Sequence, residues 1–286
     1  MTHARRPGHP VLTTTRDELV AALTPAPARR AVIMTMGALH PGHLALVEHA
    51  RRLADQVVVT IFVNPLQFGP AEDLDRYPRD LQGDLTLLAA AGVDVVFAPT
   101  VEAVYPDGDP TVTVSAGIFG EVLEGAARPG HLDGVLTVVL KLLHLVRPDV
   151  ALFGQKDAQQ LMAVRRMVRD LDVPVRIDAV PTVRDSDGLA LSSRNAFLSP
   201  EDRVRACGLS AALFAGAARA GSGADAVRAA TAAALRSAGL EVEYLALVDP
   251  VTVAEVGDRY SGEAVLALAA RVGSTRLIDN VPLTLR

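Results

Sequence analysis

The chain has 286 residues, half of them hydrophobic, enough to bury a core in one large or two modest domains. Its 28 basic and 33 acidic side chains leave a net charge of −5, which gives no electrostatic case for nucleic acid as a main partner. One cysteine, Cys207, excludes an intrachain disulfide and fits a reducing compartment, and with no uncharged apolar run of about 18 residues no membrane span is expected.

A polar lead without an apolar stretch predicts no signal peptide and a cytoplasmic location. A helix is predicted over 16–23, closed by Pro25 and Pro27. Ala31, Val32 and Ile33 form a short apolar run, read as a strand, and apolar residues in 44–53 recur at helical spacing. The β-branched run 56–63 has the pattern of a strand buried on both faces. A helix over 81–91, a strand over 93–97 and a turn at Tyr105, Pro106, Asp107 and Gly108 follow. An apolar helix over 135–146 ends before Pro148. A strand over 150–153 then leads to a helix over 157–170 with Asp157 as its N-cap, and a fifth strand covers 175–180. Beyond about residue 183 the pattern changes to alanine-rich helices over 200–220 and 224–238 and strands over 241–248 and 264–270, with 276–280 offering a third.

This order predicts an α/β fold: a Rossmann-like, doubly wound parallel sheet over 1–182, then a smaller C-terminal α+β domain over 183–286. Ligands of such sheets bind beyond the carboxyl ends of the strands. The informative polar groups stand there, at 36–43, 64–68, 154–157 and 183–194.

The densest group is Met36, Gly37, Ala38, Leu39, His40, Pro41, Gly42 and His43. Gly37 and Gly42 permit a tight turn and close approach of a ligand. The helix that follows presents free N–H groups and a positive dipole end, which favours phosphate. On a helical first turn His40 and His43 share a face, and an imidazole there can hydrogen-bond a phosphate and follow its developing charge. The same pair also reads as a chance surface pair or as part of a metal site. Gln67, in a proline turn, offers both donor and acceptor, or simply faces water. Gly154, Gln155, Lys156 and Asp157 close the fourth strand at a helix start. Lys156 there either neutralises phosphate charge or lies on the surface, and Gln160 follows one turn later. Leu191, Ser192, Ser193, Arg194 and Asn195 place two hydroxyls and a guanidinium in one loop, a phosphate clamp or an ordinary linker. The run from Arg128 to His131 is likewise clamp or loop.

His40, Pro41, Gly42 and His43 after a strand resemble the signature of the nucleotidylyl-transferase superfamily, which activates a substrate by its attack on the α-phosphate of ATP. Segments 36–43, 62–68, 77–79, 128–131, 134–141, 153–160 and 189–195, with the tail 273–280, together resemble one family, the pantothenate synthetases or pantoate–β-alanine ligases. The resemblance implies a two-step reaction. Pantoate carboxylate attacks the α-phosphate of ATP to give pantoyl adenylate and pyrophosphate; the amine of β-alanine then attacks the acyl carbon to give pantothenate and AMP.

By matching position, residues 36–43 are implied to contact ATP, with His43 the acid at the departing phosphate and His40 beside it as a second catalytic group. Gly154, Gln155, Lys156, Asp157, Val183, Leu191, Ser192, Ser193 and Arg194 are implied to contact ATP as well, Lys156 and Arg194 being the charges suited to the phosphates. Gln67 is implied to bind pantoate and touch β-alanine, and Gln160 to bind pantoate. Magnesium is expected with ATP, with Asp84 as a protein ligand and the phosphates and water completing its shell. A homodimer is expected from the resemblance, with small-molecule substrates as the other partners. Gln155 stands where the family often carries Glu, and Gly83 precedes Asp84 where relatives often carry an acid.

Two other readings stay open from the residues. A nucleotidyltransferase that joins a phosphate ester to a nucleotide shares the histidine turn but needs no Gln67 and Gln160 set for a hydroxy acid. A nucleotide-sensing module tolerates loss of Lys156 or of the serine–arginine loop.

Overall fold

The computed structural model describes residues 8–23, 28–69, 74 and 77–286; the first seven residues of the polar lead and the two prolines Pro25 and Pro27 lie outside them. The described chain divides into two compact units, Met1–Gly154 with Ala163–Val180, and Gln155–Met162 with Pro181–Arg286.

In chain order the first unit runs β1 (Val11–Thr13), α1 (Arg16–Ala22), β2 (Arg30–Thr35), α2 (Pro41–Leu53), β3 (Gln56–Ile61), α3 (Leu81–Ala90), β4 (Val95–Phe97), the short α4 (Val101–Val104) and α5 (Leu123–Ala127), α6 (His131–Val146) and β5 (Val150–Gly154). Helix α7 (Ala158–Asp170) and β6 (Arg176–Val180) follow. The strands form one parallel sheet in the order β1-β4-β3-β2-β5-β6. Strand β2 is its centre, with Ala31, Val32 and Ile33 flanked by Val57 to Val59 on one side and Val150 to Leu152 on the other.

Burial explains the apolar composition. Ala31, Ile33, Val57 and Val59 pack in one cluster with Leu46, Val47 and Ala50 of α2 and Leu88 of α3. Val32 and Val58, which alternate with them, are fully buried too, so both faces of the sheet are covered. From β2 the chain winds outward through β3 to β4, then returns to place β5 on the other side of β2. The order therefore reverses between β2 and β5, and a crevice opens beyond the carboxyl ends of such a pair.

The second unit holds α8 (Pro200–Ala217), α9 (Ala224–Ser237) and an antiparallel sheet β7 (Glu241–Val248), β8 (Gly262–Val272) and β9 (Thr275–Leu285) in that order. Leu209, Leu213, Val227 and Leu235 of the helices meet Leu266, Leu268 and Leu277 of the sheet in its core. Segment Gln155–Met162, the first part of α7 and the turn before it, is compact with this unit, so a single cut near residue 182 does not express the division.

Several elements differ from expectation. Strand β1 falls where only a polar lead was read. Helix α6 begins at His131, four residues earlier than the apolar run, and β9 extends from Thr275 to Leu285 where 276–280 was read. The early start of α6 has a steric condition. A β-carbon on Gly134 would collide with the Leu66 carbonyl, so the helix and the turn at 65–67 approach as closely as they do because residue 134 has no side chain. Gly134→Ala should therefore cost about 2 kcal/mol or more of stability, the range for overpacking, read as a lower urea midpoint at unchanged slope; an unaltered midpoint would show that the turn moves aside.

Candidate active site

The first group of polar residues is built on the end of β2. Thr35 donates its hydroxyl to the Thr60 carbonyl at 2.9 Å and accepts the Gly37 N–H at 3.2 Å. The chain then doubles back through two left-handed residues, Gly37 at φ +85° and Ala38 at φ +51°. That reversal turns the N–H groups of Ala38 and Leu39 toward α3, where the Asp84 carboxylate accepts them at 3.0 and 2.8 Å. Asp84 is 3% exposed, so its charge is compensated by these two donors rather than by water. A β-carbon on Gly37 would stand 2.9 Å from Asp84 Oδ2, so both the positive φ and the carboxylate require glycine there.

The turn delivers His40 as the N-cap of α2 and His43 three residues on, with Pro41 opening the helix. His40 Nδ1 accepts the Gly42 N–H at 3.1 Å, and His43 Nδ1 accepts the His40 N–H at 3.2 Å. This is a capping box made of two imidazoles, with ring centroids 4.1 Å apart. Each Nδ1 must offer a lone pair to its amide donor. The proton of each neutral ring therefore sits on Nε2, and Nε2–H is the donor each ring can present to an anion.

Gln67 lies in a 3-10 turn, Pro65–Gln67, capped by Asn64. Asn64 is 1% exposed and fully used. Its Oδ1 accepts from Leu66 N at 3.3 Å and from the Tyr105 hydroxyl at 2.9 Å; its Nδ2 donates to the Gly134 carbonyl at 3.1 Å and to Gln67 Oε1 at 3.2 Å. Gln67 Nε2 in turn reaches Met36 Sδ at 2.9 Å, which ties the second strand end to the histidine turn. Burial, and then the charge of Asp109, push the Tyr105 phenol far above its ordinary range, so it remains a donor. His131 holds the same glutamine through the backbone. The Gln67 carbonyl can only accept, so His131 Nδ1 donates to it at 2.8 Å, and Nε2 accepts from Arg128 at 2.9 Å. Asn64, Tyr105 and His131 were not read from the sequence as a set around Gln67.

The remaining expected residues, apart from Gly154 at the end of β5, belong to the second unit. Asp157 does not stand alone as an N-cap: Gln155–Asp157 form a 3-10 turn that runs directly into α7, and Lys156 Nζ lies 3.7 Å from Asp157 Oδ1. Gln160 is half-buried in the first turn of α7. Val183 and Leu191 are joined by a backbone bond of 2.9 Å. Ser192 caps a 3-10 turn by accepting Arg194 N at 3.3 Å, and Ser193, next to it, is exposed. Lys156, Ser192, Arg194, Asn195, Arg276 and Asp279 line one pocket. Arg276 was not singled out from the sequence; its guanidinium also binds Glu243 at 2.6 Å.

No group of three or more His, Cys, Asp or Glu among the described residues is placed to hold a metal ion. Asp84, expected as a magnesium ligand, accepts one backbone amide on each carboxylate oxygen. Asp84→Ala would leave two N–H groups of the turn without their acceptor. The expected loss is about 3 kcal/mol, that of a hydrogen-bonded charge whose partners stay buried; Asp84→Asn, which keeps one acceptor, should lose less. Urea unfolding of both variants gives the comparison, and equal stability of Asp84→Ala and the parent would show that the turn is held by other means.

The family model for pantoate–β-alanine ligase matches residues 12–282. A pantothenate synthetase of Thermobifida fusca is 60% identical over the whole of both chains, and one of Salinispora arenicola is 58% identical over 96% of this chain and 98% of its own. The crystal structure of the Thermus thermophilus pantothenate synthetase superposes with a TM-score of 0.88 at 51% identity, covering 95% of this chain and 98% of that one. A Francisella tularensis pantoate–β-alanine ligase, crystallised with a β-γ ATP compound and β-alanine, superposes with a TM-score of 0.78 at 32% identity over 95% of this chain and 97% of that one. With a match that runs almost end to end, this chain belongs to the pantoate–β-alanine ligase family.

Proposed function

We infer that this chain condenses pantoate with β-alanine, using ATP, through a pantoyl adenylate, and releases AMP and pyrophosphate. The observation that carries the reading is the imidazole pair at the N-terminus of α2, whose Nδ1 atoms are both committed to backbone amides. Two Nε2–H donors at a positive helix end form an anion site for triphosphate.

A carboxylate is a poor acyl donor, and adenylation replaces its oxide with AMP as leaving group. Pantoate oxygen forms a bond to the α-phosphorus, and the bond from that phosphorus to the bridging oxygen of pyrophosphate breaks. His43, with His40 beside it, donates Nε2–H to the departing phosphate, where charge grows most. Met36, Gly37, Ala38, Leu39, Pro41 and Gly42 contact the nucleotide largely through backbone. Gly154, Gln155, Asp157, Val183, Leu191, Ser192 and Ser193 contribute further ATP contacts, and Lys156 and Arg194 supply charge to the phosphates. Gln67 and Gln160 hold pantoate, and Gln67 also meets β-alanine. The β-alanine amine then attacks the acyl carbon, the acyl–oxygen bond breaks, and AMP leaves. The protein's share is alignment of the carboxylate and stabilisation of charge. Magnesium is expected to travel on the nucleotide's phosphates with water in its shell. The chain is expected to act as a cytoplasmic homodimer, which light scattering at micromolar concentration checks.

The rival nucleotidyltransferase makes no use of the Tyr105–Asn64–Gln67 chain of hydrogen bonds. Adenylation needs ATP and pantoate but no amine. Pantoate alone should therefore support exchange of labelled pyrophosphate into ATP, and β-alanine should drain the intermediate and release AMP. His43→Ala should keep the fold and slow exchange about a hundredfold or more. Exchange without any hydroxy acid would favour the nucleotidyltransferase; ATP binding without exchange would favour a sensor.

A further inference from the structure

Segment 273–280 resembles the family's ending and supplies no group to the proposed reaction. Its last residue, Asn280, is 5% exposed on β9. Its side chain is committed: Nδ2 donates to the Gln155 carbonyl at 2.9 Å and to the Lys156 carbonyl at 2.8 Å. These are successive carbonyls of the 3-10 turn that carries Lys156 into α7. A primary amide has two hydrogens, and Asn280 spends one on each. Its own place is fixed as well. Asn280 N–H donates to Asp279 Oδ1 at 2.8 Å, and the Asp279 carboxylate, 3% exposed, takes both arms of Arg184 at 2.6 and 2.9 Å. An ion pair so buried and bidentate holds one geometry.

We propose that Asn280 is a positioning residue for Lys156: its carboxamide clamps the turn at 155–156 so that the ammonium is carried in one register toward the reacting phosphates. Only a group with two N–H donors at this reach serves both carbonyls. A carboxylate of the same shape repels them, and alanine leaves them to water. The inference rests on the role given to Lys156 in the proposed reaction.

A double-mutant cycle on the full chain tests it, read in pantoate-dependent exchange of pyrophosphate into ATP. N280A should slow exchange about ten- to a hundredfold, as a misplaced catalytic group does, with the KM for pantoate unchanged. N280S, which keeps one donor, should fall between N280A and the parent. Added to K156A, N280A should change the rate far less than it does in the parent, about twofold, because the clamp acts chiefly through the lysine. If exchange by K156A is too slow to follow, the same cycle is read by calorimetric titration with ATP, where N280A should weaken binding in the parent and leave K156A unchanged. N280A without effect, or with the same loss in both backgrounds, overturns the proposal; if N280A does not fold, N280S carries the cycle. A parent chain that shows no pantoate-dependent exchange sinks the reaction and this inference with it. An active parent with an additive cycle sinks this inference alone.

Discussion

A carboxylate buried to 3% exposure has to find donors, and the arrangement around the histidines follows from where Asp84 finds them. Among the described residues the donors it finds are the backbone N–H groups of Ala38 and Leu39, which face α3 because the chain leaves β2 through left-handed residues. Ala38 is not glycine, so its φ of +51° costs on the order of 1 kcal/mol. Two charge-assisted bonds offset that. The reversal brings His40 to the cap of α2 and His43 beneath it, and their Nδ1 atoms there accept the Gly42 and His40 amides. The Nε2–H direction of each imidazole thus follows from an acid on another helix, bound to the backbone of the turn.

The same transmission runs through the amides. The Gly134 carbonyl can only accept, so the Asn64 side chain must point Nδ2 at it. Oδ1 then faces Leu66 N and the Tyr105 hydroxyl, which can donate to it. With Nδ2 fixed, Gln67 has to present Oε1 to it and Nε2 to Met36. The polarity of the one amide proposed to meet both substrates is therefore set by a backbone carbonyl on α6, and α6 comes close enough only because residue 134 is glycine. In the low dielectric of a buried chain each of these bonds reinforces its neighbour.

The sheet was legible in the sequence because parallel strands covered on both faces show as unbroken β-branched runs, as 56–61 does. Strand β1 was not, since three residues, Val11 to Thr13, carry too short a pattern. The full length of β9 was hidden by Asp279, Asn280 and Pro282, which look like a turn. Two of them are polar but buried against Arg184 and the 155–156 carbonyls, and the proline is tolerated because β9 is an edge strand. The histidine turn, Gln67, Lys156 and the serine–arginine loop were legible as motifs. The parts that orient them were not. Asp84 lies 46 residues from Ala38 and Tyr105 lies 41 from Asn64, and nothing local marks such partners.

The pairing of Asn280 with the turn at Gln155 and Lys156 also has a consequence for synthesis. The two partners are separated by 124 residues of chain. At about 5–20 residues per second a ribosome needs on the order of 6–25 s to cover that distance. Throughout that interval the nascent lysine turn has two carbonyls facing water, and any product that stops short of β9 keeps them so. A product that stops short of β9 therefore lacks the side chain that closes the lysine turn.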